Sequence, residues 1–188
     1  TSLDEGDELI GVRLTDGSRD CIVSSKAGMA IRFDENEVRA MGRTARGVRA
    51  MNMDDDDEVV NLVTVPHEGD TSQSSEEELA LLTVSENGFG KRTLAEEYRC
   101  QGRGGKGVID IKTETRNGLV VGMSRVTKKD QVMVITTGGK VIRMPVNTIS
   151  LIGRNTMGVR LVNLDEGEKV AAVARIAEGD AVSDETDE

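Results

Sequence analysis

One arrangement of glycine and arginine occurs three times in this 188-residue chain and constrains its fold more than any other feature. A glycine at 28, 88 or 139 is followed by Arg at +4, a second glycine at +14, Arg at +15 and a third glycine at +19. The first copy reads Ala27-Gly28-Met29-Ala30-Ile31-Arg32, then Gly42-Arg43-Thr44-Ala45-Arg46-Gly47-Val48. The second reads Asn87-Gly88-Phe89-Gly90-Lys91-Arg92, then Gly102-Arg103-Gly104-Gly105-Lys106-Gly107-Val108. The third reads Gly138-Gly139-Lys140-Val141-Ile142-Arg143, then Gly153-Arg154-Asn155-Thr156-Met157-Gly158-Val159. Intervals of 60 and 51 residues mark a repeat architecture, in which each unit buries its apolar face against the next. The longer interval is accounted for by the polar, turn-rich stretch 66–78, which reads as a surface insertion.

Each copy reads as β structure. A short apolar run (Cys21-Ile22-Val23, Leu81-Leu82-Thr83-Val84, Val132-Met133-Val134-Ile135) precedes Ala27-Gly28, Asn87-Gly88 or Gly138-Gly139. Such glycines supply the positive φ of tight hairpins. A second strand carries the +4 arginine, a third follows the last glycine, and a fourth includes Val59-Val60-Asn61-Leu62, Leu119-Val120-Val121 or Val170-Ala171-Ala172-Val173. Four strands per unit is the content of a propeller blade, so the fold class expected is all-β, with three four-stranded, propeller-like blades. Leu9-Ile10-Gly11-Val12 is similar to Val120-Val121-Gly122-Met123. The chain is therefore expected to be part of a longer one, opening on the end of a preceding blade at 1–14. Blade units follow at 15–63, 64–126 and 127–177, with an acidic, disordered tail at 178–188.

Composition removes several function classes. Aromatic residues make up 2% of the chain, too few for the stacking platforms that bind single-stranded nucleic acid. One histidine and two cysteines 79 residues apart assemble neither a zinc site nor a Cys-His pair. The isolated cysteines point to a reducing cytoplasm, and no apolar run approaches a membrane span. No nucleophile, base or metal constellation stands out, and Tyr98 reads as structural.

The net charge of -10 is segregated. Five acids fill 54–58, three fill 76–78 and six lie in 178–188; without these the chain has 20 acidic against 24 basic residues. The basic residues collect on the glycine loops, as Arg43, Arg46, Arg103, Lys106 and Arg154, and on the hairpin arms, as Arg32, Lys91, Arg92, Lys140 and Arg143. Glycine lets backbone N–H groups approach an anion while Arg and Lys supply charge, a combination suited to phosphate. Three such loops at constant spacing trace an arc, which suits a bent duplex read through its backbone. The strand arginines Arg32, Arg92 and Arg143 have an alternative role, pairing with a carboxylate of a neighbouring blade. The acidic tail reads as a solvated terminus, with competition against DNA for the basic arc as the sharper alternative.

At Gln101-Gly102-Arg103-Gly104-Gly105-Lys106-Gly107 the sequence resembles the box motif Q-R-R-G-G-K-G, matching six of seven positions, with Gly102 in place of Arg. From Glu8 to about Ala177 it resembles the C-terminal domain family of the bacterial DNA gyrase A protein. The resemblance implies a six-bladed β-pinwheel whose blades exchange strands and whose basic perimeter wraps duplex DNA, of which this chain would supply the last three blades. DNA contacts are then expected at Arg32, Arg43, Arg46, Lys91, Arg92, Gln101, Arg103, Gly104, Gly105, Lys106, Lys140, Arg143 and Arg154. The family implies a non-catalytic segment of an ATP-dependent type II topoisomerase. Its partners would be the rest of the gyrase A protein and the gyrase B protein in an A2B2 heterotetramer, with ATP and Mg2+ used elsewhere and no cofactor in this segment. The corresponding domain of topoisomerase IV, and a propeller-like protein-interaction scaffold, are the alternatives.

Overall fold

A computed structural model describes residues 3–67 and 79–178, so most of the insertion and nearly all of the acidic tail lie outside the described residues. Eleven strands form three antiparallel sheets. In the first sheet, Arg19–Ser25 (β1) and Met29–Asp34 (β2) make a hairpin, and Val59–Pro66 (β3) pairs with the other edge of β1. Ala80–Ser85 (β4), Phe89–Leu94 (β5) and Val120–Val126 (β7) repeat this pattern in the second sheet, and Gln131–Thr136 (β8), Val141–Pro145 (β9) and Val170–Ile176 (β11) repeat it in the third.

The remaining two strands cross between blades. Val108–Ile109 (β6) belongs to the second unit in sequence but pairs with β2, through Met29↔Ile109 and Ala30↔Val108. Val159–Arg160 (β10) belongs to the third unit and pairs with β5 in the same way. The sheet orders are therefore β3-β1-β2-β6, β10-β5-β4-β7 and β11-β8-β9. This corrects the expectation of four strands drawn from each unit, because the strand after the third glycine closes the outer edge of the preceding blade. The third sheet has three strands, and residues 48–51, the first unit's counterpart of β6, form no strand. Residues 9–14, expected to end an earlier blade, also form none, and Leu14 is 99% exposed.

The repeated glycines make this crossing possible. Gly28 has φ +82, and its carbonyl accepts from the N–H groups of Asp110 and Ile111 just beyond β6; a Cβ there would stand 2.2 Å from the Ile111 carbonyl oxygen. Gly107, with φ +76, presses on Ala30, whose carbonyl oxygen would lie 2.3 Å from an added Cβ. The hairpin tip and the incoming strand approach too closely for any side chain.

Two of the three apolar clusters among the described residues lie between blades, and the third, around Val23, Ile31, Phe33 and Met51, lies on the first blade. In β4, Leu81 faces the first sheet and packs with Ile22, Val63, Val65 and Tyr98, whereas Ala80, Leu82 and Val84 pack with Val126, Val132, Val134 and Val146 toward the third. Alternation along the strand thus serves two interfaces, and β4 is buried throughout. The inner strands β3, β7 and β11 pack side by side, which leaves β6 and β10 along the outer edge. Substitution Gly107→Ala is expected to cost about 2–4 kcal/mol of unfolding free energy, from the positive φ and the contact with the Ala30 backbone. Gly102→Ala, where no atom lies within 4 Å of an added Cβ, is expected to stay within about 0.5 kcal/mol in the same denaturation experiment.

Candidate nucleic-acid interface

Each hairpin ends in a single 3-10 turn, Glu35–Glu37, Ala95–Glu97 or Val146–Thr148, before the chain crosses through its glycine loop. The +4 arginines are placed at this crossing. Arg32 is 4% exposed; its Nε donates to Asp20 at 2.8 Å, Nη1 donates to the carbonyls of Ala95 and Tyr98 at 3.0 and 3.3 Å, and Nη2 donates to that of Pro66 at 2.9 Å. Arg92 repeats the inter-blade part, donating from Nε to the carbonyl of Ile149 at 2.8 Å. Ile149 follows Tyr98 by the repeat interval of 51 residues, so both arginines cap the last carbonyl of the next blade's turn. The expected phosphate contacts at Arg32 and Arg92 are corrected accordingly: both guanidiniums are interior fasteners between blades, and their inter-blade acceptors are carbonyls rather than carboxylates. Arg143, the third copy, has no following blade among the described residues; it is exposed and donates to Gln131 at 2.5 Å.

Lys91 requires the same correction. It is 0% exposed, with Nζ 2.6 Å from the carbonyl of Asp110, 2.8 Å from that of Gly153, 2.6 Å from that of Arg154 and 3.1 Å from Thr93 Oγ1. Burial pushes its pKa down to about 8, and the nearby Asp110 opposes the shift. The equivalent positions are Ile31 and Ile142, so the second blade alone pins the following loop with a buried ammonium. Asp110 accepts from Thr83 Oγ1 at 2.7 Å and from the Tyr98 hydroxyl, and burial raises its pKa. Tyr98 is wholly buried in this polar cluster.

The +15 arginines also join repeats. Arg103 donates from Nη1 to the carbonyl of Arg49 at 2.7 Å, and its backbone N–H donates to Glu37 at 2.8 Å. Arg154 donates from Nη1 to the carbonyl of Ile109 at 2.7 Å and from Nε to that of Glu97 at 2.8 Å, with its guanidinium 5.9 Å from the Tyr98 ring centroid. Arg49 and Ile109 are the same position of successive repeats, two residues after the third glycine. Both arginines are half-buried, while Arg43, with no preceding repeat described, is exposed. The Gly104 N–H donates to the Ala50 carbonyl at 2.7 Å, and the Gly105 carbonyl accepts from Asn52 at 2.9 Å, so these backbone groups serve the crossing. Gln101 is half-buried, and its N–H donates to the Arg32 carbonyl at 2.9 Å.

The remaining predicted cations face solvent. Arg43 and Arg46 lie on the first loop, with Asp4 3.3 Å from Arg46. Lys106 lies beside β6, 3.6 Å from Asp54 of the acidic run, and Lys140 pairs with Asp165 at 2.5 Å and Glu168 at 3.3 Å. Exposed pairs of this kind contribute little to stability and exchange readily for another anion.

Two further cations were not singled out by the sequence. Arg116 and Arg160 place their guanidinium carbons 4.7 and 4.6 Å from the centroid of the buried Phe89 ring at the hairpin tip. Both are exposed, and neither has an ion-pair partner among the described residues. The ring orders the guanidinium through its face and leaves the N–H donors available for an oxyanion. Arg160 is on β10, and position +21 of the repeat also carries Arg49, a signal the strict five-position pattern omits. Arg116 has no such signal.

Arg103→Ala and Arg154→Ala are each expected to lower unfolding free energy by about 0.5–1.5 kcal/mol, since each loses its side-chain hydrogen bonds to main-chain carbonyls of the preceding repeat. Lys106→Ala is expected to change it by less than about 0.5 kcal/mol; chemical denaturation of the three variants checks this difference.

The comparisons with known proteins agree with this geometry. The family model described as DNA gyrase C-terminal domain, beta-propeller, matches residues 19–66, 80–127 and 130–177. The DNA gyrase A protein from Salmonella typhimurium is 48% identical over 94% of this chain, and that from Haloquadratum walsbyi 45% identical over 92%. The Escherichia coli protein is 44% identical over 93%. The chain spans 19% of the length of each of these relatives. A solved structure of the DNA gyrase A C-terminal domain matches with a TM-score of 0.74 at 27% identity, covering 85% of this chain and 51% of that one. The C-terminal domain of DNA topoisomerase IV matches in fold with a TM-score of 0.84 at 22% identity, covering 95% and 53%.

Proposed function

The chain belongs to the DNA gyrase C-terminal domain, beta-propeller, family, and on that premise we propose that it wraps duplex DNA along the outer edge of its blades. The observation that carries the proposal is the exposed cation set beside the strand crossings: Arg43 and Arg46 on the first loop, Lys106 at the second, and Arg116 and Arg160 around Phe89. β6 and β10 fix the spacing of these charges, and the buried Arg32 and Arg92 beneath them fasten successive blades.

Such a track neutralises phosphates in sequence and releases counterions, with each contact adding about 0.9 to the slope of log affinity against log salt. Bending 20–30 base pairs costs about 1–6 kcal/mol, which the released counterions and the curved contact must offset. Nothing in this mechanism reads base edges, so binding is without sequence specificity.

The holoenzyme role follows from the same reading. A duplex bent by this segment is presented to the rest of the gyrase A protein and to the gyrase B protein in an A2B2 cytoplasmic assembly that uses ATP and Mg2+ to introduce negative supercoils. The segment positions DNA and performs no bond chemistry. Identities of 44–48% to gyrase A proteins favour this assignment over topoisomerase IV, whose likeness at 22% identity concerns the fold.

The triple variant Arg43→Ala, Lys106→Ala, Arg160→Ala is expected to bind all duplex sequences more weakly and to flatten the salt slope by about 3, one unit per lost contact. Titrations of labelled duplex at several salt concentrations measure both. Unchanged affinity and slope would overturn the wrapping reading and leave the interaction scaffold.

A further inference from the structure

On the opposite edge from this track, where β3, β7 and β11 pack side by side, there is a cavity of about 620 Å³. Strand pairing sets its wall. Cys21↔Thr64, Leu81↔Arg125 and Val132↔Arg175 are the same rung of three successive sheets, so Thr64, Arg125 and Arg175 stand at one level, and all three line the cavity. The residue two places before this rung in each repeat decides whether that level is neutralised. In the third blade it is Asp130, whose carboxylate accepts from Arg175 at 2.8 and 3.0 Å. The matching residues one and two repeats earlier are Leu79 and Arg19.

Arg125 is therefore left without the carboxylate that its counterpart has. Its side chain has no hydrogen-bond or ion-pair partner among the described residues, although it is half-buried. Burial lowers its pKa from the ordinary arginine value, the Arg175 and Arg19 charges add to the shift, and Asp130 opposes it. Arg13, from the segment before β1, also lines the cavity, and Asp16, 3.9 Å from Arg19, is the one carboxylate among the described lining residues. Half-burying an unpaired guanidinium among like charges is costly, and an anion in the cavity removes that cost.

We propose that this inner cavity binds a small polyphosphate, with Arg125 as its principal ligand. Arg13, Arg19 and Arg175 add charge around it, and the hydroxyls of Thr64 and Ser124 are available to donate to phosphate oxygens. Two or more linked phosphates fit the spread of cations over three strands and the preceding segment better than a single ion does. The wall contains no aromatic ring, since Phe33, Phe89 and Tyr98 are buried elsewhere, so recognition rests on the phosphate chain rather than on a base. The site lies on the inner strands, on the opposite edge of the sheets from the outer cations.

Calorimetric titration of sodium tripolyphosphate into the full-length protein at fixed ionic strength tests the proposal. The expected result is one saturable site, weakened at least tenfold by Arg125→Thr, which installs the residue that β3 carries at the same level. Arg125→Gln, with a melting curve for each variant, separates lost binding from lost folding. Both variants are expected to keep duplex affinity, and the outer triple variant is expected to keep tripolyphosphate affinity. ATP is expected to bind with the same dependence on Arg125. The proposal is overturned if binding is not saturable or if folded Arg125 variants bind as tightly as the parent. It is also overturned if duplex displaces tripolyphosphate, because the phosphates would then be those of DNA on its own track.

Discussion

An exposed sheet edge presents backbone N–H and C=O groups that require partners, and in this chain the neighbouring repeat supplies them. β6 closes the first sheet and β10 closes the second, each strand arriving from the next unit. Everything distinctive in the repeat follows from that transfer. The glycines let two backbones approach within the reach of a Cβ, and the arginines satisfy carbonyls that the crossing leaves inside. Blade geometry is thus determined largely between units: two apolar clusters span sheets, and the third, around Val23, Ile31, Phe33 and Met51, belongs to the first blade.

The residues that recur most strictly are the least available to a ligand. Arg32 and Arg92 are interior, and Arg103 and Arg154 are half-buried on carbonyls of the preceding repeat. Charge that is free to meet another molecule sits at positions the repeat does not constrain, such as Lys106 and Arg116, or at a strict position with no preceding repeat described, Arg43. A strict repeat at these sites reports what every blade needs in order to join its neighbour. The two proposed anion contacts draw on what is left over, at the outer edge for a duplex and at the inner edge around Arg125.

Strand locations were legible in the sequence because local signals specify them: short apolar runs, hairpin glycines and a constant interval. The destination of the strand after each third glycine was not, since pairing β6 with β2 joins residues about 80 apart and no local pattern names the receiving edge. The family resemblance alone implied the exchange. The burial of Lys91 and the strand arginines was hidden for a related reason. Their acceptors are mostly main-chain carbonyls, which leave no residue-type signature, so a glycine–arginine pattern reads alike whether the guanidinium faces solvent or a neighbouring turn. Phe89 could be seen in the sequence, but its two arginine partners come from separate segments, 27 and 71 residues further along.

The central claim is that DNA lies on the outer edge over a layer of buried basic fasteners, and lysine acetylation footprinting of the protein with and without duplex tests it most directly. Lys106 is predicted to be reactive alone and protected by DNA, while Lys91, wholly enclosed by Asp110, Gly153 and Arg154, is predicted to be unreactive in both states. Equal modification of Lys106 with and without a saturating duplex would contradict the account.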